Sequence, residues 1–219
     1  MQLLLVRHGE SVGNLTHMLQ GPDDPLTERG RRQAREIAAY LASRGDVRAL
    51  YTSPLVRAHE TAAIIGEALG LTPIPREALA EINVGEAAGL TLEEWAARFP
   101  DEAVRFREDG VDFAFRGGET GRQLGARTAA EIDAIISAHR LEPGAVALVS
   151  HGGALAWIID HLLREPRDSW PRHRLDNCSL TEVTIDPSDS QAVTFVCLNE
   201  VGHLSPEPEG DVATGRVPS

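Results

Sequence analysis

Two short apolar runs, each followed by a His-Gly pair, limit most strongly what this chain can fold into. Residues 3–6 are Leu-Leu-Leu-Val and precede Arg7-His8-Gly9, while residues 145–149 are Ala-Val-Ala-Leu-Val and precede Ser150-His151-Gly152. Short apolar runs without polar alternation are typical of strands that are buried on both faces. Because such strands occur in parallel sheets, we expect helices to cover both faces of a sheet.

Helical patterns alternate with the strand patterns along the chain. Apolar residues recur at spacings of three and four after Thr27, which is a predicted N-cap. Ser53-Pro54 predicts a serine cap with proline at the first helical position. Strands are predicted at 2–6, 47–52, 71–79, 145–149, 177–185 and 192–198, and helices at 27–43, 53–69, 91–99, 120–140 and 152–163. The expected fold class is α/β: a three-layer α/β/α sandwich with a mostly parallel central sheet and a small inserted cap.

The chain is expected to form a single domain over residues 1–204. Its 219 residues are many for one domain and few for two. Residues 100–118 are polar and contain three glycines, so a cap insertion is predicted at about 86–120. From residue 205 the sequence is rich in proline, glycine and acidic residues, and we expect this tail to be disordered.

The composition excludes several classes of function. All 21 basic residues are arginine, so a P-loop lysine and a Schiff-base lysine are both excluded. The formal net charge of −12 disfavours nucleic acid as a partner. The two cysteines, Cys178 and Cys197, do not form a disulfide scaffold, and no metal-ligand spacing occurs. No metal and no cofactor are therefore expected.

The first residues also bear on localisation. Residues 1–6 are apolar for only a short stretch before Arg7, which is too little for a signal peptide or a membrane span. We therefore expect a cytoplasmic protein that does not interact with membranes.

His8 and His151 each follow the carboxyl end of a predicted strand. In a parallel sheet, ligands bind beyond the carboxyl ends of the strands, where neighbouring side chains reach the same molecule. The pattern by itself leaves two interpretations open, a shared ligand site or two structural histidines satisfied by backbone hydrogen bonds.

The residues around these histidines resemble the motifs of the histidine phosphatase superfamily, which includes phosphoglycerate mutases. The resemblance runs in order from residue 3 to about residue 185. The matching residues are Arg7-His8-Gly9-Glu10, Asn14, Gln20-Gly21, Asp24-Pro25-Leu26-Thr27 and Gly30, then Ser53-Pro54-Leu55-Val56-Arg57-Ala58 with Glu60-Thr61-Ala62, Leu79-Ala80-Glu81, Gly85, Gly89-Leu90-Thr91, Gly117-Gly118-Glu119-Thr120, Ser150-His151-Gly152-Gly153 and Asn177-Cys178-Ser179. One block departs from the family pattern, because Ala87 and Ala88 replace its usual pocket-wall residues.

The resemblance implies a role for each matching site residue. His8 would be the nucleophile that forms a phosphohistidine, and His151 its electrostatic partner. Arg7 and Arg57 would bind the phosphate, since a guanidinium pairs with two oxygens at once. Glu81 would be the general acid and base. Further phosphate or substrate contacts are expected from Asn14, Gln20, Gly21 and Gly152.

Three functions remain open at this stage. The first is a metal-independent phosphatase that hydrolyses phosphate monoesters of a small phosphorylated metabolite. The second is cofactor-dependent phosphotransfer of the phosphoglycerate mutase type. The resemblance disfavours it, because mutases of this family have a longer mid-chain insertion with paired arginines, whereas here the stretch 92–118 is short and Phe106 separates Arg105 from Arg107. The third is a non-catalytic phosphate-binding regulatory module, which would require a catalytic residue to be missing. Physiological substrate and oligomeric state are open.

Overall fold

The computed structural model describes residues 1–189 and 192–206. Its strands are β1 Gln2–Arg7, β2 Val47–Thr52, β3 Ile74–Pro75, β4 Ala145–Ser150, β5 Leu180–Ile185 and β6 Val193–Glu200. Its α-helices are α1 Val12–Thr16, α2 Glu28–Arg44, α3 Val56–Leu69, α4 Leu92–Arg98, α5 Pro100–Glu108, α6 Gly121–His139 and α7 Gly152–Leu163. Most of the tail predicted from residue 205, namely 207–219, lies outside the described residues.

The six strands form one mixed sheet in the order β3-β2-β4-β1-β5-β6. The first four strands run parallel to one another, whereas β5 is antiparallel to β1 and β6 is antiparallel to β5. The two apolar runs that precede the His-Gly pairs are therefore the adjacent central strands β1 and β4. This confirms the predicted α/β class with a mostly parallel sheet.

The side chains of β1 alternate between two hydrophobic cores. Leu3 and Leu5 pack in a core with apolar residues of α6 and α7, while Leu4 and Val6 pack in a second core with residues of α2 and α3. Each of these four side chains is at most 1% exposed. Because successive residues of a strand point to opposite faces, burial of all four requires helices on both sides, which gives three layers.

Local capping signals were reliable at some helix ends and wrong at one. The Thr27 side chain accepts the Gly30 N–H at the start of α2, as predicted. The helix predicted to begin at Pro54 instead begins at Val56, and its N-cap residue makes no side-chain capping bond. The Ser53 hydroxyl accepts the Leu55 N–H at 3.2 Å, ahead of the first helical residue, and it also binds His151, as described below.

Residues 86–120, predicted to form a cap, contain α4, α5 and a 3₁₀ turn at Gly110–Asp112. Residues 100–118, although largely polar, supply aromatic side chains to a separate small core. Trp95, Phe113 and Phe115 are buried there, and Phe106 packs edge-on against Trp95 at a ring distance of 5.7 Å. Among the described residues, no helix combines the length and apolarity needed to cross a membrane.

Candidate active site

The site lies where β1, β2 and β4 end side by side. His8 follows β1, Ser53 follows β2 and His151 follows β4. The backbone ladder continues past the strands, since the His8 N–H donates to the Ser150 carbonyl and the Ser53 N–H donates to the Val149 carbonyl, each at 2.9 Å. Three polar side chains from distant parts of the chain therefore meet at one sheet edge, as the parallel pairing predicted.

His8 is held with one ring nitrogen bound to the backbone. The residue is 1% exposed, and Nδ1 lies 2.7 Å from the Gly9 carbonyl oxygen. Because a carbonyl oxygen only accepts, Nδ1 is the donor and Nε2 carries the lone pair of the neutral ring. Burial lowers the pKa of His8 well below its usual value, and the charges of Arg57 and Arg7 lower it further. These effects favour the neutral imidazole, in which Nε2 carries the electron pair.

His151 is buried beside it, with the two ring centres 5.0 Å apart. Its Nε2 lies 2.7 Å from the Ser53 hydroxyl, and its buried Nδ1 has no hydrogen-bond partner among the described residues. Burial lowers the pKa of His151 strongly, and Arg57 adds to this effect. Burial thus favours the neutral form of His151 in the free site, and a bound dianion would favour its protonation by supplying the opposite charge.

The buried Arg57 and the partly buried Arg7 present unpaired donors at the same place. Arg57 is 0% exposed and uses Nη1 to bind the Gly21 carbonyl at 2.9 Å, and Arg7 uses Nη1 to bind the Leu175 carbonyl. Arg57 Nε and Nη2 and Arg7 Nε are buried and have no partner among the described residues. Burial lowers the pKa of both arginines, and the Glu81 carboxylate partly offsets this. Buried cationic donors without partners indicate a binding site for an anion.

Glu81 lies at the amino end of α7. Its Oε1 accepts the Ile82 N–H at 2.9 Å, and its Oε2 accepts the Gly153 N–H at 2.8 Å. A Cβ atom at Gly153 would lie 2.6 Å from Oε1, so only glycine lets the carboxylate approach the helix this closely. Glu81 also acts electrostatically on Arg7 and Arg57, so the five predicted catalytic side chains are brought together.

The four residues predicted to contact phosphate or substrate have different hydrogen bonds and positions in the structure. The Asn14 carboxamide oxygen accepts from the Ser11 N–H and from Asn177 Nδ2, so of its two polar atoms the amide nitrogen is the one that could donate to a ligand. Gln20 Nε2 donates to the Ser11 hydroxyl, and Gly21 uses its carbonyl to hold Arg57. A Cβ at Gly152 would lie 3.5 Å from Arg7 Nε, so this residue borders the anion site directly.

The contacts around Arg127 form a part of the site that could not be predicted from the sequence. Its Nη1 donates to the carbonyls of Ala78 and Ala80, its Nη2 to the carbonyl of Glu81, and Nε and Nη2 pair with both carboxylate oxygens of Glu119. Glu119 also accepts the Asn83 N–H. The segment that carries Glu81 is therefore tied to α6. Glu119 lay in a matching motif, but a single arginine inside a helix has no local signal.

Other polar residues near the motifs are engaged elsewhere or exposed. The buried Glu10 carboxylate binds the Thr27 hydroxyl and Arg29, each at 2.7 Å. His17 and His59, which lie near the motifs in sequence, are exposed.

A cavity of about 410 Å³ adjoins Glu81. Its lining includes Gln20 and Gly21, the apolar side chains of Leu55, Ile82, Val84 and Ala88, and the charged side chains of Glu77, Glu81, Glu119 and Arg127. Ala88 is thus part of the pocket wall, whereas Ala87 is buried in the core of the cap.

The model of the histidine phosphatase superfamily, branch 1, matches residues 3–198. The chain belongs to the histidine phosphatase superfamily. A probable phosphoglycerate mutase GpmB from Yersinia enterocolitica is 36% identical to this superfamily member over 194 residues, which cover 86% of each chain. A solved mycobacterial glucosyl-3-phosphoglycerate phosphatase in complex with VO3 is 29% identical, with a TM-score of 0.79 over 91% of this chain and 99% of that one.

A second solved structure, the alpha-ribazole phosphatase from Shigella flexneri, is 23% identical and shows the fold alone. Its TM-score is 0.81, and the match covers 91% of this chain and 96% of that one. The family and the α/β fold that the sequence motifs implied are thus confirmed.

Proposed function

We propose that this chain hydrolyses phosphate monoesters of small metabolites through a phosphohistidine on His8. The single observation that carries this proposal is the geometry of His8, whose Nδ1 is bound to the Gly9 carbonyl so that Nε2 is left free beside Arg7 and Arg57, which keep unpaired buried donors. The mycobacterial glucosyl-3-phosphoglycerate phosphatase among the structural relatives supports the same reaction class.

In the first half-reaction, the Nε2 lone pair of His8 attacks phosphorus and the ester P–O bond breaks. Arg7 and Arg57 stabilise the charge on the equatorial oxygens, together with His151. Glu81 transfers a proton to the leaving oxygen. The carboxyl must exchange one of its two accepted N–H bonds when it carries that proton, because the protonated oxygen becomes a donor.

In the second half-reaction, water attacks the phosphoryl group and gives a proton to Glu81. The P–N bond breaks, its electron pair returns to Nε2 and phosphate leaves, so the site is restored. Ser53 holds His151 through Nε2, and Arg127 holds the backbone around Glu81. These two residues position the groups that react. This scheme uses no metal and no cofactor, because arginine and histidine supply the charge.

The phosphoryl group should be found on His8. The full chain is mixed with p-nitrophenyl phosphate, quenched at alkaline pH and digested for mass spectrometry without acid. We expect phosphorylation on the peptide that contains His8, and none in His8→Gln. A phosphoryl group on serine or aspartate would overturn the mechanism.

A second candidate function is phosphotransfer of the phosphoglycerate mutase type, which the name of the Yersinia relative favours. A mutase returns the phosphoryl group to a second hydroxyl, whereas a phosphatase passes it to water. Phosphorus NMR with 3-phosphoglycerate separates the two, because the mutase yields the 2-isomer and the phosphatase yields inorganic phosphate.

A further inference from the structure

We infer that the cavity beside Glu81 selects phosphate esters of uncharged or cationic alcohols and discriminates against esters whose alcohol part carries a carboxylate. The inference rests on the proposed function, because the cavity is where the leaving alcohol would lie.

The one arginine that lines this cavity among the described residues is Arg127, and it has no donor to spare. A guanidinium has five N–H groups. Those of Arg127 are divided among three backbone carbonyls, which take one each, and the two carboxylate oxygens of Glu119, which take one each. A substrate carboxylate could bind Arg127 only by breaking one of these bonds.

The remaining charges around the cavity are negative. Glu77 and Glu81 also line it, and the charge of Arg127 is already matched by Glu119. Glu77 is exposed at the rim. Glu81 interacts with Arg7 and Arg57 and carries the transferable proton when an ester is bound. Glu77 is therefore the carboxylate of the lining that no cationic side chain of the lining compensates, and it repels an anionic group.

The phosphate end of the site differs from the cavity because its cationic donors are unpaired. The unpaired buried donors belong to Arg7 and Arg57, beside His8 and His151. The cap does not add cationic side chains to the cavity, since its lining contains none of the four cap arginines, Arg98, Arg105, Arg107 and Arg116. The site is thus built for one anionic group.

The walls of the cavity favour a larger alcohol with some apolar surface. Leu55, Ile82, Val84 and Ala88 contribute to its lining, and its volume of about 410 Å³ is within the range of ligand pockets. A polyol or nucleoside-like alcohol fits this combination of apolar wall and acidic rim.

Two esters that differ at one carbon test the inference. Glycerol 3-phosphate ends in a hydroxymethyl group where 3-phosphoglycerate has a carboxylate. At low ionic strength, we expect kcat/KM to favour glycerol 3-phosphate by about tenfold or more, and added salt should reduce this preference. Equal values, or a preference for 3-phosphoglycerate, would overturn the inference.

A variant pair links the effect to the cavity. Glu77→Gln should raise kcat/KM for 3-phosphoglycerate about threefold, which is the size of effect expected when one exposed like charge is removed. The kcat/KM for glycerol 3-phosphate should change much less, because that substrate has no carboxylate to repel. Glu67→Gln, which removes an exposed carboxylate on α3 outside the cavity, should change neither. A ratio that does not respond to Glu77→Gln counts against the inference.

The proposed function is checked separately with p-nitrophenyl phosphate. Turnover that is lost in His8→Gln supports the proposed function, whatever the ester preference. A lack of His8-dependent turnover on every ester would overturn both the proposed function and this inference.

Discussion

Replacing Glu81 by glutamine separates proton transfer from simple positioning. In the structure, both carboxylate oxygens accept backbone N–H groups, from Ile82 and from Gly153. Glutamine has one acceptor oxygen, so its NH₂ group must face one of these donors. An N–H group left without an acceptor costs about 1–3 kcal/mol. This cost affects all substrates alike, because it does not depend on the leaving group.

The loss of the transferable proton affects substrates unequally. An alkoxide leaving group has a conjugate acid with a pKa of about 15, near that of water, whereas an unsubstituted phenol lies near 10, like tyrosine, and nitrophenol is more acidic still. One acid–base group contributes about 10²–10⁴ in rate. Glu81→Gln should therefore slow an alkyl phosphate by about 10²–10⁴ more than it slows p-nitrophenyl phosphate.

Single-turnover measurements on the two esters provide the assay. In Glu81→Gln, the burst of nitrophenol should persist while the later steady rate falls, because the same carboxylate would activate water. Glu86→Gln is the matched control, since Glu86 is exposed and outside the contacts described for Glu81. Equal losses on both esters would mean that Glu81 only positions the substrate.

Gly153→Ala tests the geometry without removing the carboxylate. The new Cβ would lie 2.6 Å from Glu81 Oε1, so the carboxylate must move. We expect the alkyl ester to suffer more than the nitrophenyl ester here as well. Equal rates for this variant and the wild type would show that the bond to α7 is not needed. Glu10 cannot replace Glu81, because Thr27 and Arg29 hold its carboxylate.

Three further predictions follow from the charges and hydrogen bonds of the site. Phosphate release should survive EDTA, since arginines supply the positive charge; activity lost with chelator and restored by magnesium or zinc would refute this. As the pH is lowered below 6.5, the free energy of unfolding should fall more steeply in the wild type than in His8→Gln, by about 1.4 kcal/mol per pH unit. The reason is that the unfolded chain binds a proton at His8, whereas the lowered pKa of the buried ring opposes this in the folded chain. Equal slopes in urea titrations at several pH values would contradict the lowered pKa of His8. Ser53→Ala should lower the free energy of unfolding by about 1–3 kcal/mol and reduce kcat, because the buried His151 loses its hydroxyl partner. The control Ser43→Ala removes an exposed hydroxyl bond and should cost less than about 0.5 kcal/mol. Equal urea midpoints for the two variants would count against this role of Ser53.

Elements with a strong local pattern were predicted well from the sequence. The apolar runs became the central strands β1 and β4, and Thr27 caps α2 as expected. Such features depend on neighbouring residues and on backbone geometry, which the sequence displays directly. The family was identifiable for a related reason, because its motifs lie at the ends of these elements.

Features that depend on distant contacts were not visible in the sequence. Ser53-Pro54 has the form of a helix start, yet the Ser53 hydroxyl binds His151, which is 98 residues away in the chain. The order β2-β4-β1 brings them together, and the local pattern contains no information on that order. Residues 100–118 look polar, although their aromatic side chains meet Trp95 in the core of the cap.

The sequence by itself determined the α/β class, the family and the types of side chain available for binding and transferring phosphate. Only the tertiary structure decided which donors remain free. Arg57 and Arg127 are both arginines within helices, yet Arg57 keeps buried N–H groups without partners among the described residues, while every N–H of Arg127 is bound. The difference arises because carbonyls of residues 78–81 and the Glu119 carboxylate surround Arg127, and their positions depend on how α6 packs against the end of the sheet.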